Sequence, residues 1–326
     1  EHPYSYKDVL PGKRQTANGK EQQKNIFVIH PSTVLPINFL PEGKLYNFFS
    51  SINNSIVLKT LRKTIEENSI RDYIFINFFD PFFLRSIPGD IKPKKYVYQC
   101  MDDMTQVPYT NRHGVRLENE IIRHADLVLC TSRELTKIKS AYSDRVHFHP
   151  NAADFELFNR AANEIAERPA DLPPGKKIIS FTGSMEYRTD TELVKKIAAA
   201  HLDKILFFVG PVNLDAEEFR QLKAFSNIYF AGPKHIAQLP AYLQYFDCCI
   251  IPYKVNTLTA SIYPLKINEY LAAGKPVVAT NFSEDISSFR NCAYIAGNHE
   301  EFIRFIDEAI NNNDAEKIKL RIERAA

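Results

Sequence analysis

Three polar side chains, Lys266, Asn268 and Glu269, interrupt an otherwise apolar stretch within residues 261–280. Charged groups in apolar surroundings need partners, because burying an unpaired charge is costly. The ammonium of Lys266 can neutralise a phosphate, and the carboxylate of Glu269 can accept hydrogen bonds from two adjacent hydroxyl groups. The alternative is an ion pair between these two side chains at i, i+3 spacing, which contributes little if it is exposed.

The flanking residues predict the element that carries these groups. Pro264 suits the first turn of a helix, where its missing N–H would have had no partner, and Gly274 ends the helix after two alanines. A short apolar run, residues 277–279, follows. The sequence therefore predicts a helix that leads directly into a buried strand.

Apolar runs alternate with amphipathic runs along most of the chain. Strands are predicted at residues 26–29, 73–77, 96–100, 127–130, 178–183, 205–211, 228–230 and 248–252. Helices are predicted at residues 53–68, 116–125, 133–141, 190–201 and 239–245. This alternation indicates parallel βαβ units, and hence an α/β fold with helices on both faces of each sheet.

The alternation breaks at residues 158–176, which are charged and contain two adjacent prolines. We therefore expect two Rossmann-like domains, residues 1–157 and residues 177–326, joined by this linker and facing a shared cleft. Ligands of such sheets bind beyond the carboxyl ends of the strands, where Gly183 and Gly210 lie. Because the chain opens with a polar, turn-rich stretch, we expect the first domain to be incomplete.

Composition excludes several classes of protein. The 41 basic and 39 acidic side chains give a net charge of only +2, so no nucleic-acid-binding surface is indicated. The five cysteines lack C-x-x-C spacing and are predicted to be reduced core residues of a cytosolic protein, without metal or disulfide. We find no apolar run long enough to span a membrane and no signal peptide.

Several ordered segments resemble the GT-B-fold glycosyltransferases of family 4, in particular those of teichuronic acid and related surface-polysaccharide synthesis. The segments that resemble the C-terminal domain of that family are FTGSMEYRTD, FFVGP, NIYFAGPKHIAQLPAYLQYFDCCIIPY and YPLKINEYLAAGKPVVAT. The upstream segments are VYQCMDDM, LENEIIRHADLVLCTSREL and HPNAADFELF. The resemblance covers residues 70–310 and implies that the first βαβ unit is missing and that the C-terminal helix is cut short.

The resemblance implies a nucleotide-sugar site around the helix described first. In the family, two glutamates eight positions apart frame this site, and the second one bonds the ribose hydroxyls. Glu269 holds the second place, whereas Ser261 replaces the first glutamate. The backbone of Ser261, Ile262 and Tyr263 is expected to face the diphosphate at the start of the helix, with Lys266 as its cation. Alternatively, Ser261 is an ordinary helix cap.

Glycines and a cation at the strand ends extend this implied site. Gly183 and Ser184 form a turn that lets a phosphate or sugar approach the backbone closely, and Gly210 ends the next strand. Arg188 is expected to neutralise the departing diphosphate, since arginine suits bidentate contacts. Alternatively, Gly183 forms a simple tight turn and Arg188 pairs with Asp190.

The resemblance assigns the nucleobase to the loop after the third strand of the second domain. Pro233 would fix this loop, and the backbone near His235 and Ile236 would read a uracil edge. The alternative is a plain strand-to-helix connection.

Two adjacent carboxylates, Asp102 and Asp103, stand where the family often has His-Asp, facing the donor sugar. They are predicted to bind sugar hydroxyls or to orient the acceptor. The alternatives are a metal site, for which local ligands are lacking, and a helix N-cap by Asp103. His113 is a further candidate for contact with the acceptor, although the sequence offers it no partner.

The implied function is a retaining, metal-independent glycosyltransferase without a cofactor. It would move a sugar from a nucleotide-diphosphate donor to a hydroxyl of a glycan or lipid-linked acceptor in cell-surface polysaccharide synthesis. The expected location is the cytoplasm, with peripheral contact at the inner face of the plasma membrane as an option. The alternatives are a non-catalytic nucleotide-sugar-binding or scaffold protein and a nucleotide-sugar epimerase.

Overall fold

The computed structural model describes residues 28–106 and 110–326. The polar N-terminal stretch and the first half of the strand predicted at residues 26–29 lie outside this part of the chain. The chain divides into two compact units: Glu1–Cys130 with Thr136–His147, and Thr131–Leu135 with Phe148–Ala326.

The first sheet has four strands in the order β1-β2-β3-β4 within the described residues, and β1, β2 and β3 pair in parallel. The strands are β1 (Ile74–Phe78), β2 (Lys95–Cys100), β3 (Leu127–Cys130) and β4 (Val146–Phe148). The helices that accompany them are α1 (Lys44–Glu67), α2 (Gly114–His124) and α3 (Arg133–Ser140). Helix α2 is amphipathic and buries Leu117, Ile121 and Ile122.

An ion pair lies in the interior of this first unit. Lys139 Nζ is 2.6 Å from Glu118 Oε2, and the side chains are only 5% and 0% exposed. Tyr98 donates its hydroxyl to the other oxygen of Glu118 at 2.9 Å. Burial alone would lower the pKa of Lys139, but Glu118 raises it above the usual value, which keeps the ammonium charged.

The second sheet has six parallel strands among the described residues, in the order β10-β9-β8-β5-β6-β7. They are β5 (Ile178–Thr182), β6 (Ile205–Val209), β7 (Ile228–Gly232), β8 (Cys248–Ile251), β9 (Val277–Thr280) and β10 (Tyr294–Ala296). Strands β5, β6, β8 and β9 are buried at every position, as in a parallel sheet that helices cover on both faces. The strand order reverses direction between β5 and β8, which is where ligands bind in open α/β sheets.

The second unit contains nine further helices among the described residues. They are α4 (Phe155–Asn163), α5 (Thr191–Ala200), α6 (Ala216–Lys223), α7 (Leu239–Gln244), α8 (Thr257–Ala260), α9 (Leu265–Ala272), α10 (Glu284–Ser287), α11 (His299–Asn311) and α12 (Ala315–Ala325). Short 3-10 helices occur at Gly89–Ile91, Met104–Gln106 and Ile236–Gln238. No described helix combines the length and the hydropathy that crossing a bilayer requires.

The segment predicted as a linker, residues 158–176, includes the second half of α4. Its following residues lie along α7, because Tyr245 donates its hydroxyl to Ala166 O at 2.6 Å and Tyr242 donates to Asp171 at 2.8 Å. All five cysteines are buried, as the sequence predicts. The predicted α/β class with parallel sheets is confirmed.

Candidate functional site

Two glycines remove side chains from the carboxyl edge of the second sheet. Gly183 follows β5 with φ 131°, and Gly210 follows β6 with φ 141°. A Cβ atom on Gly210 would lie 2.2 Å from the carbonyl oxygen of Gly183, so no larger residue fits there. The ends of β5 and β6 therefore pack backbone against backbone at this edge.

The side chain of Lys266 lies across the backbone of Gly183. A Cβ atom on Gly183 would be 2.1 Å from Lys266 Cε and 2.6 Å from its Nζ. The ammonium sits 5.6 Å from the centroid of the Phe181 ring. No carboxylate of the described residues forms an ion pair with Lys266, although the carboxyl of Glu269 lies close enough for the two charges to interact.

Glu269 follows Lys266 by one helical turn on α9. Burial raises the pKa of this carboxyl above its usual value, and the nearby charge of Lys266 opposes the rise. No hydrogen bond to its oxygens comes from the described residues, although the side chain is partly buried. A half-buried carboxylate in this state is equipped to accept hydrogen bonds from a ligand that carries adjacent hydroxyl groups.

The helix that presents both groups is fixed on several sides. The hydroxyl of Tyr270, a fully buried side chain, accepts a hydrogen bond from the Thr182 N–H at 2.8 Å. At the other end, buried Arg321 of α12 donates to Gly274 O at 3.0 Å. Asn268, the third polar residue of the predicted triplet, donates to Asn151 O at 3.0 Å and therefore holds the helix in place.

The segment before α9 offers fewer free N–H groups than the resemblance implies. Ser261 is the C-cap of α8 and donates its N–H to Leu258 O at 3.3 Å, while Ile262 donates to Thr259 O at 3.1 Å. Tyr263 places its hydroxyl against Asn268. Helix α9 begins after Pro264 without a side-chain cap, and in its first turn Leu265 donates its N–H to Tyr263 O and Ile267 to Pro264 O. Among the described residues, the N–H groups of Tyr263 and Lys266 are therefore the better candidates for contact with an anion.

Arg188 pairs with Glu186 rather than with Asp190. The guanidinium of Arg188 also lies 5.9 Å from the centroid of the Tyr253 ring, beyond the end of β8. Burial alone would lower the pKa of Arg188, but Tyr253 and Glu186 raise it. Asp190 instead caps α5 and lies 2.9 Å from His299 Nε2.

The loop after β7 has its own local order. Gly232 has φ 69°, and Lys234 forms an ion pair with Asp171 at 2.7 Å. His235 caps the following 3-10 helix, since its Nδ1 accepts from the Ala237 N–H at 3.3 Å. The Ile236 side chain is 51% exposed, and it therefore marks the open part of the loop. Pro233 lies between Gly232 and Lys234, so it belongs to the same loop.

Ser184 also has a local partner at the turn after β5, because its hydroxyl accepts from Asn213 Nδ2 at 3.0 Å. Ser184 directly follows Gly183 in the chain, so it lies at the same edge of the sheet.

Asp103 in the first unit caps the 3-10 helix Met104–Gln106, as the structural alternative anticipated. Its carboxylate accepts from the N–H of Thr105 at 2.9 Å and from the hydroxyl of Thr105 at 2.8 Å. Asp102 is exposed beyond the end of β2. The described residues contain no group of three or more His, Cys, Asp or Glu side chains arranged to hold a metal ion.

His113 lies in the interior and cannot reach a ligand in this arrangement. Its ring is 1% exposed and stacks on Tyr46 with centroids 3.8 Å apart, while its Nε2 is 2.9 Å from Leu40 O. The sequence analysis missed the hydroxyl of Tyr270 and the guanidinium of Arg321. Tyr270 is one apolar residue among others in its helix, and Arg321 is one charge among others in α12. Nothing in the local sequence therefore predicts that they bond to the backbone of Thr182 and Gly274.

Comparison with known proteins finds a family match within the second unit. Residues 176–312 match the family model of the group 1 glycosyl transferases. TuaH of Bacillus subtilis strain 168, named as a teichuronic acid biosynthesis glycosyltransferase, is 28% identical over 242 residues. The alignment covers 68% of this chain and 60% of TuaH, so the chain spans less than two thirds of that relative's length.

Solved structures share the fold at low sequence identity. Sucrose-phosphate synthase from Thermosynechococcus elongatus has a TM-score of 0.64 at 15% identity, covering 93% of this chain and 81% of the other. Anabaena HepE in complex with UDP and glucose has a TM-score of 0.55 at 14% identity, covering 71% of this chain and 66% of HepE. The predicted GT-B type of α/β architecture is confirmed, and the match of residues 176–312 to the group 1 glycosyl transferases agrees with the predicted enzyme class.

Proposed function

We propose that the protein transfers a sugar from a UDP-sugar to a hydroxyl group of a glycan or lipid-linked acceptor, because residues 176–312 match the group 1 glycosyl transferases. We further propose that the reaction retains the anomeric configuration, needs no metal ion and serves surface-polysaccharide synthesis at the cytoplasmic side of the membrane. The complex of HepE with UDP and glucose and the name of TuaH support the nucleotide and the pathway class.

One observation carries the proposal: Glu269 and Lys266 stand unpaired, one turn apart, at the carboxyl edge of β5. The carboxylate of Glu269 would accept hydrogen bonds from the two ribose hydroxyls of the nucleotide. The ammonium of Lys266, whose side chain lies across the backbone of Gly183, would lie beside the diphosphate. Pro233 and the exposed Ile236 would border the base.

The chemistry then depends on stabilising the leaving group. As the bond between the anomeric carbon and the diphosphate oxygen breaks, negative charge grows on the diphosphate. The ammonium and the N–H of Lys266, at the start of α9, would stabilise that charge. Arg188 is already paired with Glu186. It would contribute only if the diphosphate displaced Glu186 or bound to Arg188 beside it. The acceptor oxygen bonds to the anomeric carbon and its proton passes to the departing phosphate oxygen, which requires no protein nucleophile.

The test is incubation of the full chain with radiolabelled UDP-sugars and a panel of glycan acceptors, followed by analysis of products and of anomeric configuration. Labelled product in the α-configuration from an α-linked donor supports the proposal, and activity that survives excess chelator supports metal independence.

Two other outcomes would replace it. Binding of UDP-sugar without turnover would favour the non-catalytic binding or scaffold protein. The observation behind that alternative is Ser261, which stands where the family has its first glutamate. An isomerised donor sugar would indicate an epimerase.

A further inference from the structure

Two central strands of the second sheet stop pairing before they end. Strand β5 runs to Thr182, but its pairing with β8 stops at Ser180, opposite Cys249. On its other side, β5 remains paired with β6 as far as Thr182, opposite Val209. In the described part of the chain, the last two residues of β5 therefore have a strand partner on one side only. A buried backbone N–H group on the open side needs another acceptor.

The hydroxyl of Tyr270 supplies that acceptor. It accepts the N–H of Thr182 at 2.8 Å, and the hydroxyl of Thr182 bonds to the same oxygen at 3.1 Å. The side chain of Tyr270 is fully buried, and burial holds the pKa of its hydroxyl well above the usual value, so the group stays protonated. Burying a hydroxyl is costly unless it is hydrogen-bonded, so these two bonds fix where the tyrosine ring lies.

These bonds join helix α9 directly to β5. No other side chain of α9 forms a hydrogen bond to β5 within the described residues. Two further bonds of the helix lead elsewhere, since Asn268 donates to Asn151 O and Asn159 of α4 donates to Ala272 O. Tyr270 is therefore the polar contact that holds α9 against the end of β5.

Lys266 lies on the same face of α9, one turn before Tyr270. Side chains four residues apart on a helix are neighbours, so a displacement of one is transmitted to the other. The side chain of Lys266 lies across the backbone of Gly183, and its ammonium is 5.6 Å from the centroid of the Phe181 ring. The two side chains thus contact three consecutive residues at the end of β5. A shift of Tyr270 against Thr182 would also shift Lys266 against Gly183.

We propose that Tyr270 is a positioning residue for the diphosphate, because its hydroxyl holds α9 where the ammonium of Lys266 lies beside Gly183. Tyr270 itself would touch no part of the nucleotide, since its side chain is fully buried. The inference rests on the proposed function, because it concerns the diphosphate of the proposed donor.

The effect is expected to fall on the phosphates more than on the ribose. Glu269 is the neighbour of Tyr270 on α9, but successive residues of a helix lie about 100° apart around its axis. The hydroxyl of Tyr270 and the ammonium of Lys266 therefore share a face that the carboxylate of Glu269 does not.

The test measures the dissociation constants of UDP and UMP by calorimetry for the full chain and for Tyr270→Phe, which removes the hydroxyl and keeps the ring. UDP binding should weaken about tenfold and UMP binding no more than about twofold, because only UDP carries the diphosphate. Thr182→Val removes only the second hydrogen bond and should cause a selective loss of about threefold. Tyr245→Phe removes a hydroxyl bond of the same unit, to Ala166 O at 2.6 Å, and as the matched control should leave both constants unchanged.

A double variant distinguishes positioning from a general structural role. If Tyr270 acts through Lys266, adding Tyr270→Phe to Lys266→Ala should not deepen the selective loss of UDP binding. Independent effects would multiply instead. Thermal unfolding of the same samples reports any general loss of stability, which cannot by itself change the ratio of the two dissociation constants.

Two results would overturn the inference. One is a folded Tyr270→Phe protein in which UDP and UMP binding are unchanged or weaken by the same factor, and the other is multiplication of the effects of Tyr270→Phe and Lys266→Ala. Should Tyr270→Phe fail to fold, an equal change of both constants in Thr182→Val has the same consequence. In each case UDP binding by the unmodified protein leaves the proposed function standing, whereas its failure to bind UDP would refute the proposed function and this inference together.

Discussion

Replacing Glu269 by glutamine is expected to weaken nucleotide binding and to stabilise the free protein at the same time. A hydrogen bond to a charged group contributes about 1.5–3 kcal/mol, and glutamine keeps one oxygen that can accept. We therefore expect the dissociation constant of UDP to rise about tenfold, which corresponds to about 1.4 kcal/mol.

The stability effect has the opposite sign. Because burial raises the pKa of folded Glu269 above the usual 4.5, the folded state binds more protons than the unfolded state between 4.5 and the raised value. The free energy of unfolding therefore falls as pH rises through that window. Glutamine has no proton to lose, so Glu269→Gln should have a higher Tm at neutral pH.

The assay is calorimetry with UDP and with 2′,3′-dideoxy-UDP, together with thermal unfolding without ligand. If Glu269 bonds the ribose, the mutation should cost affinity for UDP and almost none for the dideoxy analogue. Glu167→Gln, at an exposed position of the same unit, is the control and should change neither quantity. Equal losses with both nucleotides would refute the ribose assignment, and a lower Tm would refute the electrostatic argument.

Three further variants test separate contacts. Lys266→Ala should weaken UDP binding more than UMP binding in calorimetry, because only UDP carries the diphosphate, and equal losses would contradict the phosphate role. Gly183→Ala places a Cβ atom 2.1 Å from Lys266 Cε and should displace that side chain, so UDP affinity should fall about tenfold. An unchanged affinity would argue against this contact. Lys139→Met leaves Glu118 buried and unpaired and should lower the free energy of unfolding by about 3–5 kcal/mol in urea denaturation. Lys137→Met, exposed on the same helix, should have little effect; similar losses in both would contradict the importance of the buried pair.

The sequence predicts the second sheet well because its strands are continuous apolar runs between glycine or proline turns. Helix α9 begins at Leu265, directly after Pro264, and Gly274 with φ 68° follows its end. The proline and the glycine therefore mark the start and the end of this helix, as the sequence predicts. Strand β9 occupies residues 277–280, close to the prediction. Local chemistry suffices for these elements.

Helices that bury polar side chains were missed or misplaced. Helix α1 begins at Lys44, nine residues before the predicted start, since it buries Ser50 and Asn53 while Phe48 is 61% exposed. Helix α12 fully buries Arg321, and its half-buried Ile318 and Ile322 lie against Gly274. In both helices a polar or charged side chain at a buried position obscures the apolar periodicity.

The candidate site shows the same limit at longer range. The residues and their family roles are visible in the sequence, but the contact between Lys266 and Gly183 joins positions far apart in the chain and depends on how α9 packs on β5. Local partners also decide roles that a motif cannot, as when Thr105 engages Asp103 and Glu186 engages Arg188.

The most direct test of the central claim is a crystal structure of the full chain with UDP. The account predicts that the two ribose hydroxyls lie within hydrogen-bond distance of the Glu269 carboxylate, with the diphosphate beside Lys266 Nζ and the backbone of Gly183. A nucleotide bound with its ribose away from Glu269, or at another edge of the sheet, would contradict it.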